Sequence, residues 1–269
     1  MLWLYEGCSS DKLREAVFTD GRAEIIINLR NDAYTIFEGE PKRASQFNEI
    51  VFCGPHTDSY LLDISTSFQL MGVVFKSFGA APFLPIPVSE VFGLRLAGDA
   101  LWGPNFGSIR EQLNEAKSSK AKFQVLQAVL LKWLERGSAA KLPDPAVTYA
   151  LKEMHRAPHA GTIEKIRENV SFSPRRFINL FRDTVGMSPK VYARVQRFQA
   201  ALHGIDHIAM VDWATVAFDC GFYDQSHFIR EFKTFTGLRP TEYVAARRKH
   251  LKYIPKGMRQ FFTIRTHSS

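Results

Sequence analysis

Cysteine is scarce in this 269-residue sequence: Cys8, Cys53 and Cys220 are odd in number, scattered and without CxxC spacing. That excludes a disulfide framework and reads as reduced thiols in a cytosol. Histidine is as thin in the first half, where His56 is the only one before residue 138, so a multi-histidine metal site on adjacent strands is excluded there. His155 and His159 are four apart, but Pro158 stands between them and ends the helix, and Cys53 with His56 reads as a tight β-turn around a buried cysteine rather than a thiolate pair. No Gly-rich phosphate loop and no G-x-S-x-G elbow is present. No apolar run approaches the roughly 20 residues of a membrane span, and MLWLYEGCSSDK has no basic region leading into an apolar stretch; the expected location is the cytoplasm, with no membrane partner.

Acidic residues are depleted in one half only. Residues 1–137 carry 14 Lys+Arg against 16 Asp+Glu, whereas the rest of the chain carries 21 against 11. A basic excess confined to the C-terminal half points to a polyanion partner. With 45% hydrophobic and 13% aromatic residues the chain can bury a real core, and its length fits two domains.

From Leu2 to Phe75 the pattern is mostly β. The runs LWLY, AEIIINL, AYTIF, EIVFC, YLLDI and FQLMGVVF alternate with turn-prone pieces such as TDGR, EGEPKR and CGPHTD. Residues 76–104 are rich in Gly and Pro and read as an ordered loop over the sheet. Two helices are expected next, over 106–116 and from the Ser119 cap to Arg136, the second with Phe123, Leu126, Leu130, Trp133 and Leu134 at helical spacing. That stripe fits packing on the sheet or a dimer contact. The expected division is a β-rich domain over 1–137, a linker over 138–145, a helical domain over 146–250 and a basic tail over 251–269.

The helical part contains a repeat. A shift of 51 residues lays Phe177 on Phe228, Ile178 on Ile229, Phe181 on Phe232, Arg182 on Lys233, Gly186 on Gly237, Pro189 on Pro240 and Tyr192 on Tyr243. Each copy reads as a short helix, a tight turn and a longer amphipathic helix, over 173–185 and 224–235, capped by Ser173 and Asp224 and stopped by Gly186 and Gly237. Between them SPKVYARVQRFQAALHG predicts one connecting helix, whose stretch from Lys190 to His203 is long enough at about 21 Å to hold two reading heads against successive major-groove segments.

In the second copy the string from Ala214 to Tyr243 is specific. Its GF at Gly221 and Phe222, its D-x-S-x-F-x-R-x-F-K from Asp224 and its G-x-x-P-x-x-Y from Gly237 resemble the signature of the AraC/XylS family of bacterial transcription regulators. The first copy, with S-P-x-x-Y from Ser188 and R-F-x-x-A-L from Arg197, is similar to that family's more variable first unit. DGRAEIIINL, the CGPH turn and GVVFKSFGAAPF resemble the N-terminal domain of a subgroup, with Ser77 and Phe78 departing from that subgroup's usual glycines and proline. Short strands at the spacing of the runs from Leu2 to Phe75 predict an N-terminal antiparallel β-sandwich or barrel-like domain with two following helices, and the resemblance implies an all-α seven-helix double helix-turn-helix domain after it, so the expected chain is α+β and two-domain.

Carried over by position, the resemblance implies DNA contacts by Arg175, Arg176, Asn179 and Arg182 in the first unit and by Gln225, Ser226, His227, Arg230 and Lys233 in the second. Asn179 stands where many members have a basic residue; Asn suits adenine as Arg suits guanine. Expected partners are double-stranded DNA, RNA polymerase, a small-molecule effector and a second copy of the chain. An effector pocket could be lined by Trp3, Tyr60, Phe75, Phe83 and Trp102, which fit core packing equally. One enzyme alternative is a DNA-repair, adaptive-response protein joining an AraC-type unit to a methyl-accepting cysteine or a glycosylase domain. The first half has neither a Cys-His nucleophile motif nor a Cys-rich zinc cluster, so the expectation is no enzyme, with no catalytic residue, cofactor or metal.

Overall fold

The computed structural model describes residues 1–269 except 8–12, 31–32, 40–42, 64–67, 104–105, 107, 137–142, 159–161, 206–210, 251–260 and 266–269. Cys8, His159, most of the expected linker and much of the expected tail therefore lie outside the described residues.

Among the described residues ten strands form two five-stranded antiparallel sheets. β1 (Leu2–Gly7), β3 (Glu24–Asn28), β6 (Ile50–Cys53), β8 (Phe68–Val74) and β9 (Arg95–Ala97) make one, in the order β1-β8-β3-β6-β9. β2 (Leu13–Val17), β4 (Tyr34–Glu38), β5 (Arg43–Phe47), β7 (Tyr60–Asp63) and β10 (Phe261–Arg265) make the other, in the order β10-β2-β7-β4-β5. Period-2 alternation sorts the side chains into layers. Ile26, Val51, Leu70 and Val74 of the first sheet meet Val17, Tyr34, Ile36, Tyr60 and Leu62 of the second in the sandwich interior. Ile25, Ile27, Phe52, Met71 and Val73 point the other way, under α2 (Ser108–Glu115) and α3 (Ser119–Arg136). β3 is buried along its whole length because both its faces are covered.

Leu126 is buried against the first sheet, and Phe123, Leu130 and Trp133 pack there too, so the α3 stripe serves the sandwich. The segment read as a plain loop is more regular than its Gly/Pro content suggests. It holds two 3-10 turns, Ala81–Phe83 and Val88–Val91, then β9, then the short α1 (Gly98–Trp102). β2 and β5 were not legible either: LREAV and RASQF are polar and short, and their partners in the sheet define them. Within the segment read as a basic tail, Phe261–Arg265 pairs antiparallel with β2.

Seven described helices follow: α4 (Pro145–Arg156), α5 (Thr162–Glu168), α6 (Pro174–Val185), α7 (Pro189–Ile205), α8 (Trp213–Asp219), α9 (Gln225–Thr236) and α10 (Pro240–His250). Their core does not stop at the domain boundary. Ala16, Phe18 and Leu61, from the outer face of the second sheet and the turn after β2, belong to the same buried cluster as Phe177, Tyr192, Phe198 and Tyr243. The layers are thus helices, sheet, sheet, helical domain.

Candidate nucleic-acid interface

The repeat is reproduced in three dimensions. In α6, Ser173 caps the first turn by accepting from the Arg176 amide, Pro174 follows where no amide is needed, and Gly186 closes the helix at φ +92°. In α9, Asp224 accepts from the His227 amide and Gly237 closes the helix at φ +74°. The same aromatic geometry recurs at the 51-residue shift. Phe181 meets Tyr192 at 5.8 Å and 67°, and Phe232 meets Tyr243 at 5.4 Å and 68°. These rings are buried, so the opposite faces of both helices are left to solvent.

Arg175, Arg176, Asn179 and Arg182 are all exposed on α6, and Gln225, Ser226, Arg230 and Lys233 are exposed on α9; His227 is half-buried. Arg175, Arg176 and Asn179 share a shallow depression with Ser173, Asp183 and Asp144. The Arg176 guanidinium lies 4.5 Å from the Phe172 ring centroid, which limits its sweep. On α9 the half-turn before the helix presents Tyr223 at 92% exposure, a side chain the sequence reading did not single out.

The two heads are held at a fixed angle by α7, whose 17 residues span about 25 Å. Arg194 of α7 makes a two-pronged pair with Glu231 of α9, at 2.7 and 2.8 Å, on the flank of the second recognition helix away from its free face. Phe198 stacks on Phe235 at 4.8 Å beside it. This link was missed because its partners are 37 residues apart and carry no motif.

The first head also touches the β-domain. Ser89 Oγ donates to Asp183 Oδ1 at 2.9 Å, and Gly186 sits against Pro55 and Val88. The Val88–Val91 turn is itself seated by Gly54, where any side chain would collide with the Val91 carbonyl. The connecting helix is gripped as well: Gln199 Nε2 donates to the Thr19 carbonyl, and the Ser77 and Tyr192 hydroxyls are 2.8 Å apart.

Between the two halves lies a cavity of about 1090 Å³. Arg22, Lys76, Lys152, His155, Arg156 and His203 line it, with Phe78, Leu151 and Leu202 as apolar wall; Asp20, the one acidic residue among the described residues of the lining, pairs with Arg22. Burial, then the charges of Arg22 and Lys76, pull the Met1 amino group below its ordinary value. Both Ser77 and Phe78, the two departures from the family pattern, face this space. The aromatics that could line an effector pocket or pack in the core lie in two separate core layers. Phe75, Phe83 and Trp102 pack outside the first sheet, the indole of Trp102 stacked on Phe106 at 4.4 Å, while Trp3 and Tyr60 are inside the sandwich. Trp3 of the first sheet and Tyr60 of the second face the sandwich interior, and the first sheet stands between them and the other three.

Neither described cysteine is poised for chemistry. Burial pushes the Cys53 thiol up to about 12 and the Cys220 thiol up to about 11, the opposite of an activated nucleophile. Burial, with Arg95, lowers His56 to about 4, so it is neutral beside Cys53 and supplies no ion pair. Among the described residues no His/Cys/Asp/Glu group could hold a metal, and no helix is long and apolar enough to cross a membrane.

A helix-turn-helix domain family matches residues 168–246, and a domain of unknown function, DUF6597, matches residues 1–96. The arabinose operon regulatory protein of Escherichia coli K12 is 30% identical over 152 residues, 53% of this chain and 52% of that protein. Its counterpart in Salmonella typhimurium is 35% identical over 91 residues, 34% of this chain and 32% of that one. The chain thus spans about half the length, or less, of the curated relatives it matches. A solved structure of ToxT from Vibrio cholerae aligns over 91% of this chain and 97% of its own, with a TM-score of 0.49 and 11% identity. The C-terminal half of this chain is a helix-turn-helix domain of the AraC type, built from two copies of one unit and joined to a two-sheet β-domain.

Proposed function

We propose that this protein is a sequence-specific DNA-binding transcription regulator whose α6 and α9 enter adjacent major-groove segments while the β-domain senses a small molecule. The observation that carries this reading is the duplicated capped helix with an exposed cationic face, the two copies braced by α7 and the Arg194–Glu231 pair. Lys233 and Arg182 fit phosphates, which supply affinity; Arg175, Arg176 and Asn179 on one helix and Ser226 and Arg230 on the other fit base edges, which supply specificity. Gln225, at the exposed first turn of α9, fits either. Arg230→Ala is expected to weaken binding to the cognate site by about 1–3 kcal/mol with an unchanged circular dichroism spectrum. A gel-shift titration giving wild-type affinity would remove Arg230 from the interface.

The sensing half of the proposal rests on the interdomain cavity. Its excess of cationic side chains over one paired aspartate, beside an apolar wall, suits an anionic molecule with a hydrophobic body. Such a ligand would touch α4, α7 and the β-domain together, so its binding changes how firmly the first head is held. Aliphatic and aromatic carboxylates are expected to raise the melting temperature, by mass action on the folded state, and a Lys76→Glu/Lys152→Glu double variant is expected to lose that response. Equal shifts in both proteins would place the ligand elsewhere.

A further inference from the structure

The first turn of α9 is closed by two reciprocal hydrogen bonds. Asp224 Oδ1 accepts from the His227 amide at 2.6 Å, and His227 Nδ1 accepts from the Tyr223 amide at 3.3 Å. This is the logic of a capping box, with an imidazole in place of the usual Glu or Gln and a reach one residue further back. A ring nitrogen that accepts from an amide N–H carries no proton itself, so the neutral ring bears its proton on Nε2. The ring is also fixed in angle: it meets Phe222 edge-on, with centroids 5.7 Å apart and planes at 79°. Among the described residues Nε2 makes no hydrogen bond. What remains is one donor, with no acceptor, set about 60° around the helix from Arg230 and one turn before it.

We propose that His227 is a specificity-determining residue whose Nε2–H donates to a single base-edge acceptor in the major groove. This rests on the regulator reading above. A lone fixed donor can donate to guanine O6, a purine N7 or thymine O4 and is repelled, donor against donor, by the amino group of cytosine. Ser226 and Gln225 on the same turn carry both a donor and an acceptor and cannot discriminate in that way. The cap thus does two things: it stops the helix from fraying, and by occupying Nδ1 it decides which hydrogen-bonding face the ring turns to DNA.

The test separates the two nitrogens. Full-length protein carrying Nε2-methylhistidine at position 227 keeps the Nδ1 acceptor and the cap but loses the donor; it is compared with wild type in selection from a random duplex DNA pool and in melting. The expected result is an unchanged melting temperature, loss of base preference at one position of the half-site bound by the second unit, and about tenfold or weaker binding to the wild-type motif. An unchanged motif and affinity would make His227 a helix cap alone. A uniform loss of affinity with the motif intact would make it a phosphate contact, and would equally overturn the assignment. A wild-type protein that enriches no motif at all would sink the regulator reading itself, which sets that failure apart from the other two.

Discussion

Replacing Phe232 by Ala melts the second recognition unit, at a cost of about 3–5 kcal/mol. Phe232 is 1% exposed and its ring contacts three others, those of Phe228 at 5.6 Å, Phe198 at 5.6 Å and Tyr243 at 5.4 Å. Those partners come from α9, α7 and α10, so no single helix can shift to fill the space that truncation leaves. Domain stabilities are only about 5–15 kcal/mol, so a loss of this size removes much of the margin. DNA binding should fall with it, because Ser226, His227 and Arg230 are aimed by the same helix. Denaturant melts followed by circular dichroism, paired with gel shifts, check both effects; a melting curve like that of the wild type would contradict the buried-face reading.

Gly186→Ala is expected to destabilise the protein by about 2–4 kcal/mol, whereas Gly237→Ala costs only about 1–2 kcal/mol. The two glycines occupy the same position of the repeat and both have positive φ, +92° and +74°. An L side chain at either is strained by that conformation. Around Gly237 nothing lies within 4 Å of an added Cβ, so strain is the whole effect. At Gly186 the added atom would stand 2.8 Å from the Pro55 ring and 3.0 Å from Val88, neither of which can swing aside. The surplus therefore reports the docking of the first head on the β-domain. Comparing the two variants by thermal melting isolates it: equal losses would mean that α6 and the Val88–Val91 turn are not packed together in solution. Because α6 carries Arg175, Arg176 and Asn179, loosening this contact should also change DNA affinity in Gly186→Ala more than in Gly237→Ala.

The two recognition helices were legible because each of their features is local. Ser173 and Asp224 cap within three residues, Gly186 and Gly237 stop within four, and the phenylalanines recur at helical spacing. The DNA-facing positions carried over from the family resemblance agree with that periodicity: all of them except the half-buried His227 are open to solvent. The strands with apolar runs were legible for the same reason. β2, β5 and β9 were not, since their residues have little preference of their own and are strands only through their neighbours' hydrogen bonds. Whether Trp3, Tyr60, Phe75, Phe83 and Trp102 line a pocket or pack in the core was not legible, because aromatic content does not say which face of a strand a ring occupies.

By itself, then, the sequence determined the double unit, its caps, its buried and exposed faces and the basic character of the half that carries it, all of which arise from contacts a few residues long or from composition. Only the tertiary structure decided that the two equivalent units are not in equivalent places. One is docked through Gly186 and Asp183 on the β-domain, the other braced through Glu231 on α7, and a cationic cavity lies where the two halves meet. The reason is physical: a pair such as Ser89–Asp183 or Ser77–Tyr192 joins residues 94 or 115 positions apart, and which side chains meet over that distance is set by how the sheets and helices stack.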